Sequence, residues 1–351
     1  MAHRLLIGSY STGKTSLLVE LMGESIARGH GVCFIEAHGI LLPGTVFDPE
    51  TTRWNPLREP IEPALAASLF QETTKSAWDY AGMTTPVMDM FLLFSAATLI
   101  ENGHNLTDII KLLSDREYRS KLTHSDELVR QFWTDFEVLN DTQQRHEVSS
   151  TINKFYSLLI DPRVRHMLSV NKKGICLSDF LADQVLHVRL PVRSYGRAKV
   201  KLIGSLIISY LTQLLLERND PRPYDLYIDD CHLYAHDTVH NALVSTSRYG
   251  LATTVAFQHK RQLSTDLFEA LMGNTERQYV FRVSRDDAEV LSAQLPANHS
   301  KVSLDRLSNH SYRELPFNKL APDGVTIPLE KSIEDKGYTG KPESRSAGRQ
   351  D

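Results

Sequence analysis

The sequence predicts an α/β protein in which an all-helical segment interrupts a parallel β-sheet. Apolar runs typical of strands alternate with helix-like runs in the first 40 residues and again after residue 184. A glycine-rich loop joins the first strand to the first helix, and residues 64–168 show only helical periodicity. Strands that alternate with helices pair in parallel with right-handed crossovers, so a single sheet is expected.

The composition of the 351-residue chain is that of a globular protein, with 41% hydrophobic and 23% charged residues. Because the formal net charge is −4, any nucleic-acid contact needs a local basic surface. Cys33, Cys176 and Cys231 include no Cys-x-x-Cys pair, which argues against a disulfide framework or a zinc site and predicts a cytoplasmic location. No transmembrane segment or signal peptide is predicted, since the apolar runs are short or interrupted.

The first elements form a β-α-β unit, with a strand over Arg4–Ser9, a helix over Ser16–Ala27 and a strand over Gly31–Ala37. The first strand is followed by a loop with the spacing Gly-x-x-x-x-Gly-Lys-Thr. Such a loop wraps backbone N–H groups around a β-phosphate, its lysine bridges the β- and γ-phosphates, and its last hydroxyl holds Mg²⁺. ATP and Mg²⁺ are therefore the expected ligands. The predicted nucleotide-binding residues are Gly8, Ser9, Tyr10, Ser11, Thr12, Gly13, Lys14, Thr15 and Ser16.

The later elements complete the sheet and its insertion. Residues 41–63 hold five prolines and are expected to form an ordered loop. The remaining predictions are strands over Gln184–Val192, Tyr224–Asp230, Leu251–Phe257 and Arg277–Val283, and helices over Lys199–Glu217 and His240–Tyr249. The chain then divides into the first part of a nucleotide-binding domain (1–63), an all-helical insertion that folds as its own lobe (64–168), the second part of that domain (169–301), and an irregular, largely disordered tail (302–351).

Polar residues follow two of these strands where a ligand would lie. Asp229 and Asp230 end the strand that begins at Tyr224, and Gln258 follows the strand that ends at Phe257. In open α/β sheets, ligands bind at the carboxyl ends of the strands. Asp229 is predicted to hold Mg²⁺ through water, Asp230 to polarise the attacking water, and Gln258 to sense the γ-phosphate. The alternative for Gln258 is an amide that satisfies a loop backbone.

Two sets of basic residues could contact phosphates. Arg248, Arg277 and Arg282 are candidates to reach the γ-phosphate of a neighbouring subunit, against the alternative of surface salt bridges. A second set lies around Gly196 and could contact DNA in the central channel of a ring, against the alternative of a solvated basic turn. This basic loop consists of Arg189, Arg193, Arg197, Lys199 and Lys201.

The order of these segments resembles the FtsK–HerA branch of the P-loop ATPases, in particular the conjugative coupling proteins and type IV secretion ATPases. The resemblance covers roughly residues 4–300. Besides the phosphate loop it rests on linked segments of low individual specificity: Ile35-Glu36-Ala37-His38-Gly39, Asn55-Pro56-Leu57, Tyr227-Ile228-Asp229-Asp230, Ser247-Arg248-Tyr249-Gly250-Leu251, Ala256-Phe257-Gln258 and Gly273-Asn274 with Phe281-Arg282 and Asp286-Asp287-Ala288-Glu289.

The resemblance implies a RecA-like ATPase sheet of the additional-strand type, assembled as a homo-hexameric ring that moves DNA through its pore. It assigns Lys14 and Thr15 to nucleotide and metal, Asp229 to the second acidic motif, Gln258 to the sensor, and Arg282 or Arg248 to action between subunits. Relatives usually carry glutamate at the position of Asp230. They also place a membrane anchor or small β-barrel before the loop, so a truncated chain or a separate polypeptide supplying that part is expected.

A second departure lies at the end of the second strand, where relatives usually have aspartate and this chain has Glu36. Because the Asp230 carboxylate is one methylene shorter than glutamate, hydrolysis is expected to be slow, or Glu36 is expected to assist it.

The first hypothesis is an ATP-driven DNA translocase of the coupling or pumping kind. The alternative is a nucleotide-gated assembly module with slow turnover that controls a protein partner. A kinase or GTPase is less favoured, since the guanine-reading Asn-Lys-x-Asp pattern is absent.

Overall fold

The structure is a computed structural model that describes residues 2–40, 42, 44–170, 174–181, 184–220, 222–244, 246–292, 311–316 and 331–332. Within these residues the strands are β1 (His3–Ile7), β2 (Gly31–Glu36), β3 (Thr45–Phe47), β4 (Val185–Arg189), β5 (Tyr224–Ile228), β6 (Leu251–Phe257), β7 (Thr275–Val280), β8 (Ser311–Pro316) and β9 (Lys331–Ser332).

The α-helices of the same residues fall into two sets, seven of them in the central segment. They are α1 (Lys14–Ala27), α2 (Pro63–Ala77), α3 (Pro86–Glu101), α4 (Ile109–Ser114), α5 (Arg116–Arg119), α6 (Glu127–Val138), α7 (Asp141–Leu159), α8 (Pro162–Leu168), α9 (Val192–Tyr195), α10 (Arg197–Glu217), α11 (His236–Asn241), α12 (Thr265–Asn274) and α13 (Arg285–Ser292).

The sheet has the order β3-β4-β2-β5-β6-β1-β7-β8-β9. The first seven strands in this order are parallel, and β8 joins β7 in the antiparallel direction. Strand β6 lies between β1 and β5, so one strand separates the strand before the phosphate loop from the strand before the two aspartates. The predicted α/β sheet of the additional-strand type is confirmed by this order.

Both faces of the central strands are covered, which is why they are apolar throughout instead of alternating. Every residue of β2, β5 and β6 is buried. On β1, Leu6 packs into a cluster with α1, whereas Leu5 and Ile7 face the larger core on the other side of the sheet. The sheet is therefore the middle layer of three, and its strand ends are held rigidly.

The helical segment shares the larger core with the sheet, and its folding as a separate lobe stays a prediction. Helix α2 packs along α10, where the Tyr210 hydroxyl donates to the Ala66 carbonyl at 2.9 Å. The Thr73 hydroxyl donates to Ser209 Oγ at 2.8 Å nearby. Helix α10 thus connects the helical segment to the carboxyl-edge residues that follow β5.

Helix α10 is, among the described residues, the one helix long and apolar enough to cross a membrane by composition. However, 72% of its most apolar window is buried inside the structure, which is typical of a core helix. Its side chains contact the helical segment on one side and the sheet on the other.

Several predicted boundaries were wrong. The proline-rich loop contains β3, an edge strand of three residues that is too short for alternation to show. The predicted helix His240–Tyr249 is α11, which ends at Asn241, and a separate 3-10 turn. The helix stops there because the Ala242 carbonyl accepts hydrogen bonds from the Thr246 and Thr253 hydroxyls at 3.0 and 2.6 Å.

The third correction concerns the end of the chain. Strand β7 ends at Val280, before the predicted limit of Val283, because the next residues bond to the phosphate loop. The tail predicted to be irregular from residue 302 contains β8 and β9, which extend the sheet edge at β7. The rest of that tail, like residues 293–301, lies outside the described residues.

Candidate functional site

The phosphate loop is anchored to the strands on both sides of β1. The Gly8 N–H donates to the Phe257 carbonyl at 3.3 Å, after β6, and the Ser9 N–H donates to the Arg282 carbonyl at 2.8 Å, after β7. Ser11 and Gly13 have positive φ angles of 57° and 101°, which curl the loop. The loop is therefore held between two strand ends before any ligand binds.

The backbone N–H groups of this loop can bind an anion. Among the described residues, the backbone N–H groups of Tyr10, Ser11, Thr12 and Gly13 have no hydrogen-bond acceptor. Unpartnered N–H groups in successive turn residues, followed by a helix N-terminus, form an anion cradle. The residues present thus fit the phosphates of a nucleotide.

The side chain of Lys14 lies across the loop. Its Nζ donates to the Ser9 carbonyl at 3.0 Å, and only 7% of the residue is exposed. Burial lowers the pKa of Lys14, and the nearby carboxylates of Asp229 and Asp230 oppose that shift. A buried ammonium with one carbonyl partner has unused donors for a phosphate oxygen.

Gly8 lets the loop lie against the residues after β7. A Cβ at this position would lie 2.5 Å from Phe281 Cβ and 2.9 Å from Thr12 Oγ1. Gly8→Ala should therefore lower the free energy of unfolding by about 1–3 kcal/mol through overpacking. Gly23 in α1 is the matched control, because a Cβ there meets no atom within 4 Å.

Gly23→Ala should raise the free energy of unfolding by about 0.5–1 kcal/mol, since alanine favours the helix. Urea unfolding of the two variants checks both signs. Equal effects of the two alanines would contradict the packing described for Gly8.

The two aspartates after β5 lie at the same edge as the loop. The Thr15 hydroxyl donates to Asp229 Oδ2 at 2.7 Å, and the Asp230 N–H donates to Asp229 Oδ1 at 3.0 Å. Asp229 is 1% exposed. Burial, and then the charge of Asp230, raise its pKa to about 6.

A hydroxyl and a buried carboxylate in contact, beside an anion cradle, are oxygen groups that fit Mg²⁺. No cluster of three or more His, Cys, Asp or Glu side chains that could hold a metal ion occurs among the described residues. Mg²⁺ is usually bound by one or two protein groups together with substrate phosphates.

Helix α10 fixes the segment that follows these aspartates. A Cβ at Gly204 would lie 2.3 Å from Tyr234 Cε1, so glycine leaves the space that the ring occupies. The Ala235 N–H donates to Ser205 Oγ at 2.8 Å. The chain after Asp230 is therefore packed directly on the buried helix.

Asp230 is held between two side chains from neighbouring strands. His38 Nε2 lies 2.8 Å from Asp230 Oδ2, and Gln258 Nε2 donates to Asp230 Oδ1 at 3.1 Å. Burial raises the pKa of Asp230, but the hydrogen bond and charge of His38 outweigh it, so the net shift is downward. The same hydrogen bond raises the pKa of His38. Asp230 and Gln258 thus contact each other at the carboxyl edge of the sheet, a contact that the sequence did not predict.

Glu36 has a different position from the one its predicted role requires. Its side chain is fully buried, and Oε2 accepts hydrogen bonds from the His38 and Gly39 N–H groups at 2.6 and 2.7 Å. Its other oxygen lies 3.5 Å from His187 Nε2. This carboxylate stabilises the turn after β2, and its assistance to hydrolysis stays a prediction.

The predicted arginines do not share one location. Arg282 is half-buried beside this chain's own loop, and its guanidinium has no hydrogen bond or ion pair among the described residues. Its predicted action between subunits stays a prediction. Arg248 precedes β6, at the opposite edge of the sheet, where it lies 4.9 Å from the Tyr249 ring centre. It cannot reach this chain's own nucleotide, so a contact with a neighbouring subunit stays a prediction.

The predicted basic loop is not a set of five free cations. Arg189 ends β4 and donates through Nε to Asp48 Oδ2 at 2.8 Å. Lys201 forms an ion pair with Asp79. Both charges are therefore matched by carboxylates within the chain.

The other three residues of the basic loop are less constrained. Lys199 Nζ donates to the Tyr195 carbonyl at 3.3 Å, and Arg197 has a long contact of 3.5 Å with the His232 carbonyl. Arg193 is exposed and has no hydrogen bond or ion pair among the described residues. Among the described residues none of these three cations forms an ion pair, and Arg193 and Arg197 are the more exposed two.

No protein-family profile matches the sequence, and no curated protein matches it. Among solved structures, the bacterial conjugative coupling protein TrwBdeltaN70 in its unbound form superposes with a TM-score of 0.67 at 14% identity, covering 97% of this chain and 86% of that one. TrwB in complex with ADP and Mg²⁺ gives 0.68 at 15% identity, covering 97% and 87% of the two chains. The chain has the RecA-like fold of P-loop ATPases.

A second protein with this RecA-like fold is VirB4 of Thermoanaerobacter pseudethanolicus, with a TM-score of 0.63 at 11% identity, covering 90% of this chain and 86% of that one. The predicted resemblance to coupling and secretion ATPases is confirmed at the level of the fold. In this RecA-like sheet the loop, the two aspartates and Gln258 follow three adjacent strands at one edge.

His38 is the site residue whose role sequence reasoning missed. The sequence places it in the Ile35–Gly39 segment and predicts no contact for it. The signal that could have found it is its place just after β2, which neighbours β5 in the RecA-like sheet. Polar residues after neighbouring parallel strands meet at the same edge.

The raised pKa of Asp229 predicts a stability effect of known sign. Its folded pKa of about 6 exceeds the ordinary 3.8, so ionisation opposes folding; the penalty is absent below pH 3.8, grows between these values and is complete above them. Asp229→Asn should therefore raise the free energy of unfolding of the nucleotide-free protein at pH 8, by about 3 kcal/mol. Urea unfolding at pH 8 and pH 5 should show a smaller difference at pH 5. A difference that is independent of pH would contradict the assignment.

Proposed function

We propose that this chain hydrolyses ATP with Mg²⁺ and uses the energy to move DNA as a homo-hexameric ring. The observation that carries the proposal is the joint arrangement at one sheet edge: an unpartnered N–H cradle, a buried lysine across it, and Thr15 in contact with Asp229. The RecA-like fold, shared with a coupling protein that holds ADP and Mg²⁺, supports it.

Each group has a role in binding or positioning. The loop N–H groups and Lys14 bind the phosphates, and Thr15 with Asp229 would hold Mg²⁺, which neutralises phosphate charge when bound. Asp230 orients the attacking water and accepts its proton, since its lowered pKa keeps it ionised at neutral pH. Gln258 contacts Asp230 through Nε2. It is therefore the group through which binding of the γ-phosphate can affect the position of that carboxylate.

The DNA contact is assigned to the free part of the basic loop. Arg193 and Arg197 lie after β4 at the carboxyl edge, and neither forms an ion pair among the described residues. Two cations per chain, repeated around a ring, would give a ring of charge suited to phosphate. Residence in the cytoplasm and a separate polypeptide that supplies a front domain stay predictions.

The test of this function is the rate of ATP hydrolysis with and without double-stranded DNA, with Lys14→Ala as the blank. Hydrolysis that depends on Lys14 and rises with DNA is the expected result. Arg193→Ala with Arg197→Ala should remove the stimulation and leave the basal rate. Lys14-dependent hydrolysis that DNA does not change would contradict translocation and leave the ATPase in place.

One observation favours the second candidate, a nucleotide-gated module with slow turnover that controls a protein partner. Both oxygens of Asp230 already accept a hydrogen bond, from His38 or Gln258, so each has less acceptor capacity left for a water molecule. Asp230→Glu separates the candidates, because the longer side chain could extend a carboxylate past these partners. A large gain in turnover would support the slow module, whereas a fast native rate that the change leaves unaltered would contradict it.

A further inference from the structure

Strands β2 and β5 are joined by a histidine–aspartate pair at each end. At the amino edge His30 Nδ1, just before β2, lies 2.6 Å from Asp225 Oδ2 in β5. At the carboxyl edge His38 Nε2, just after β2, lies 2.8 Å from Asp230 Oδ2, just after β5. The two pairs connect the same strands, but only the second lies beside the phosphate loop.

The carboxyl-edge pair has features that the other lacks. The His38 side chain is 47% exposed, whereas that of His30 is 18% exposed. Asp230 has a left-handed backbone with φ of 46°, a conformation that costs energy in a residue other than glycine. Such strain persists only where surrounding contacts hold the residue, and His38 and Gln258 supply the side-chain contacts here.

The buried carboxylate of Glu36 determines where His38 lies. The Glu36 carboxylate accepts hydrogen bonds from the His38 and Gly39 N–H groups. These bonds fix the turn from which the imidazole extends to Asp230. Gly39 has a φ of 83°, which closes the same turn. Glu36 is thus connected to Asp230 through the hydrogen bonds of His38.

We propose that His38 is a positioning residue for hydrolysis, which fixes Asp230 Oδ2 so that the short aspartate presents its other oxygen, Oδ1, to the attacking water. The inference rests on the proposed ATPase function. It assigns Oδ1 to water after Gln258 turns to the γ-phosphate, because Gln258 Nε2 lies closer to Oδ1, at 3.1 Å, than to Oδ2, at 3.4 Å. His232 Nδ1 lies 4.0 Å from Oδ1 and stays beside it. The turn that holds His38 fixes one oxygen of the Asp230 carboxylate. This fixed position compensates for the side chain being one methylene shorter than glutamate.

The experiment compares three variants with the native chain: His38→Ala, His38→Gln and His30→Ala. The steady-state kcat and KM for ATP, the affinity for a fluorescent ADP analogue and the thermal midpoint are measured for each. His38→Ala should lower kcat by about ten- to a hundredfold with KM and ADP affinity unchanged, since misplacement of a reacting group has effects of this size. His38→Gln should recover part of the loss, because its amide can donate to the same oxygen.

His30→Ala is the matched control, since it removes a pair of the same kind from the same two strands. It should lower the thermal midpoint about as much as His38→Ala and leave kcat unchanged. If His38→Ala and His30→Ala lower the thermal midpoint alike and both leave kcat unchanged, His38 only stabilises the contact between β2 and β5, and the inference is overturned. A native protein without Lys14-dependent hydrolysis would instead overturn the proposed function, so the two failures are distinguishable.

Discussion

Lys14→Ala is expected to lower the rate of ATP hydrolysis by about a hundred- to a thousandfold, the loss typical of removing one charge-stabilising donor from an active site. The ammonium is positioned in advance, 3.0 Å from the Ser9 carbonyl and largely buried. Burial makes each hydrogen bond to a phosphate stronger than it would be in water. No other lysine among the described residues lies in the loop, so none can replace it.

Phosphate release measures the rate, and the rise in thermal midpoint with MgATP measures binding, because a ligand stabilises the fold that binds it. Both signals should be lost in Lys14→Ala. Lys75→Ala is the control: this lysine forms an ion pair with Asp89 at 2.7 Å in the helical segment, far from the loop in sequence. Native hydrolysis in Lys14→Ala would show that the loop is not the nucleotide site.

Asp230→Asn is expected to reduce hydrolysis by about a hundred- to ten-thousandfold, the range for loss of a general base. Binding of MgATP should remain, since the contacts assigned to the nucleotide are those of the loop, Thr15 and Asp229. Asparagine keeps the size of the side chain and an oxygen for Gln258 or His38, so the fold should persist. Equilibrium binding and single-turnover hydrolysis separate the two effects.

Glu36→Gln decides whether the base has been assigned correctly. The Glu36 carboxylate is buried and bonds to the turn at His38 and Gly39, so its change should affect stability more than hydrolysis. If Glu36→Gln stops hydrolysis while Asp230→Asn retains it, the sequence-based expectation that Glu36 assists would be right and the role of Asp230 wrong.

Sequence patterns predicted the central strands and the helical segment because burial on both faces requires long apolar runs. They failed where a long-range contact sets the boundary. The end of α11 depends on threonine hydroxyls that bond the Ala242 carbonyl, one of them from β6. Likewise β7 ends before its predicted limit, where the Ser9 N–H donates a hydrogen bond to the Arg282 carbonyl. These two residues are far apart in sequence.

The candidate site was predictable in so far as it depends on strand ends. Lys14, Thr15, Asp229, Asp230 and Gln258 were all found in that way, and the structure brings them to one edge. The positions of charged partners were not predictable, because an ion pair such as Arg189 with Asp48 joins β4 to the turn after β3. For the same reason His38 was missed, since its hydrogen bond to Asp230 depends on β2 being next to β5.

The central claim, an ATP-driven ring on DNA, is tested most directly by particle mass in solution with double-stranded DNA and a non-hydrolysable ATP analogue. Sedimentation measures it for the native chain and for Lys14→Ala. The account predicts a particle of six chains bound to DNA for the native protein when the analogue is present, and its loss in Lys14→Ala. A native chain that stays a monomer under these conditions, with no bound DNA, would contradict the claim.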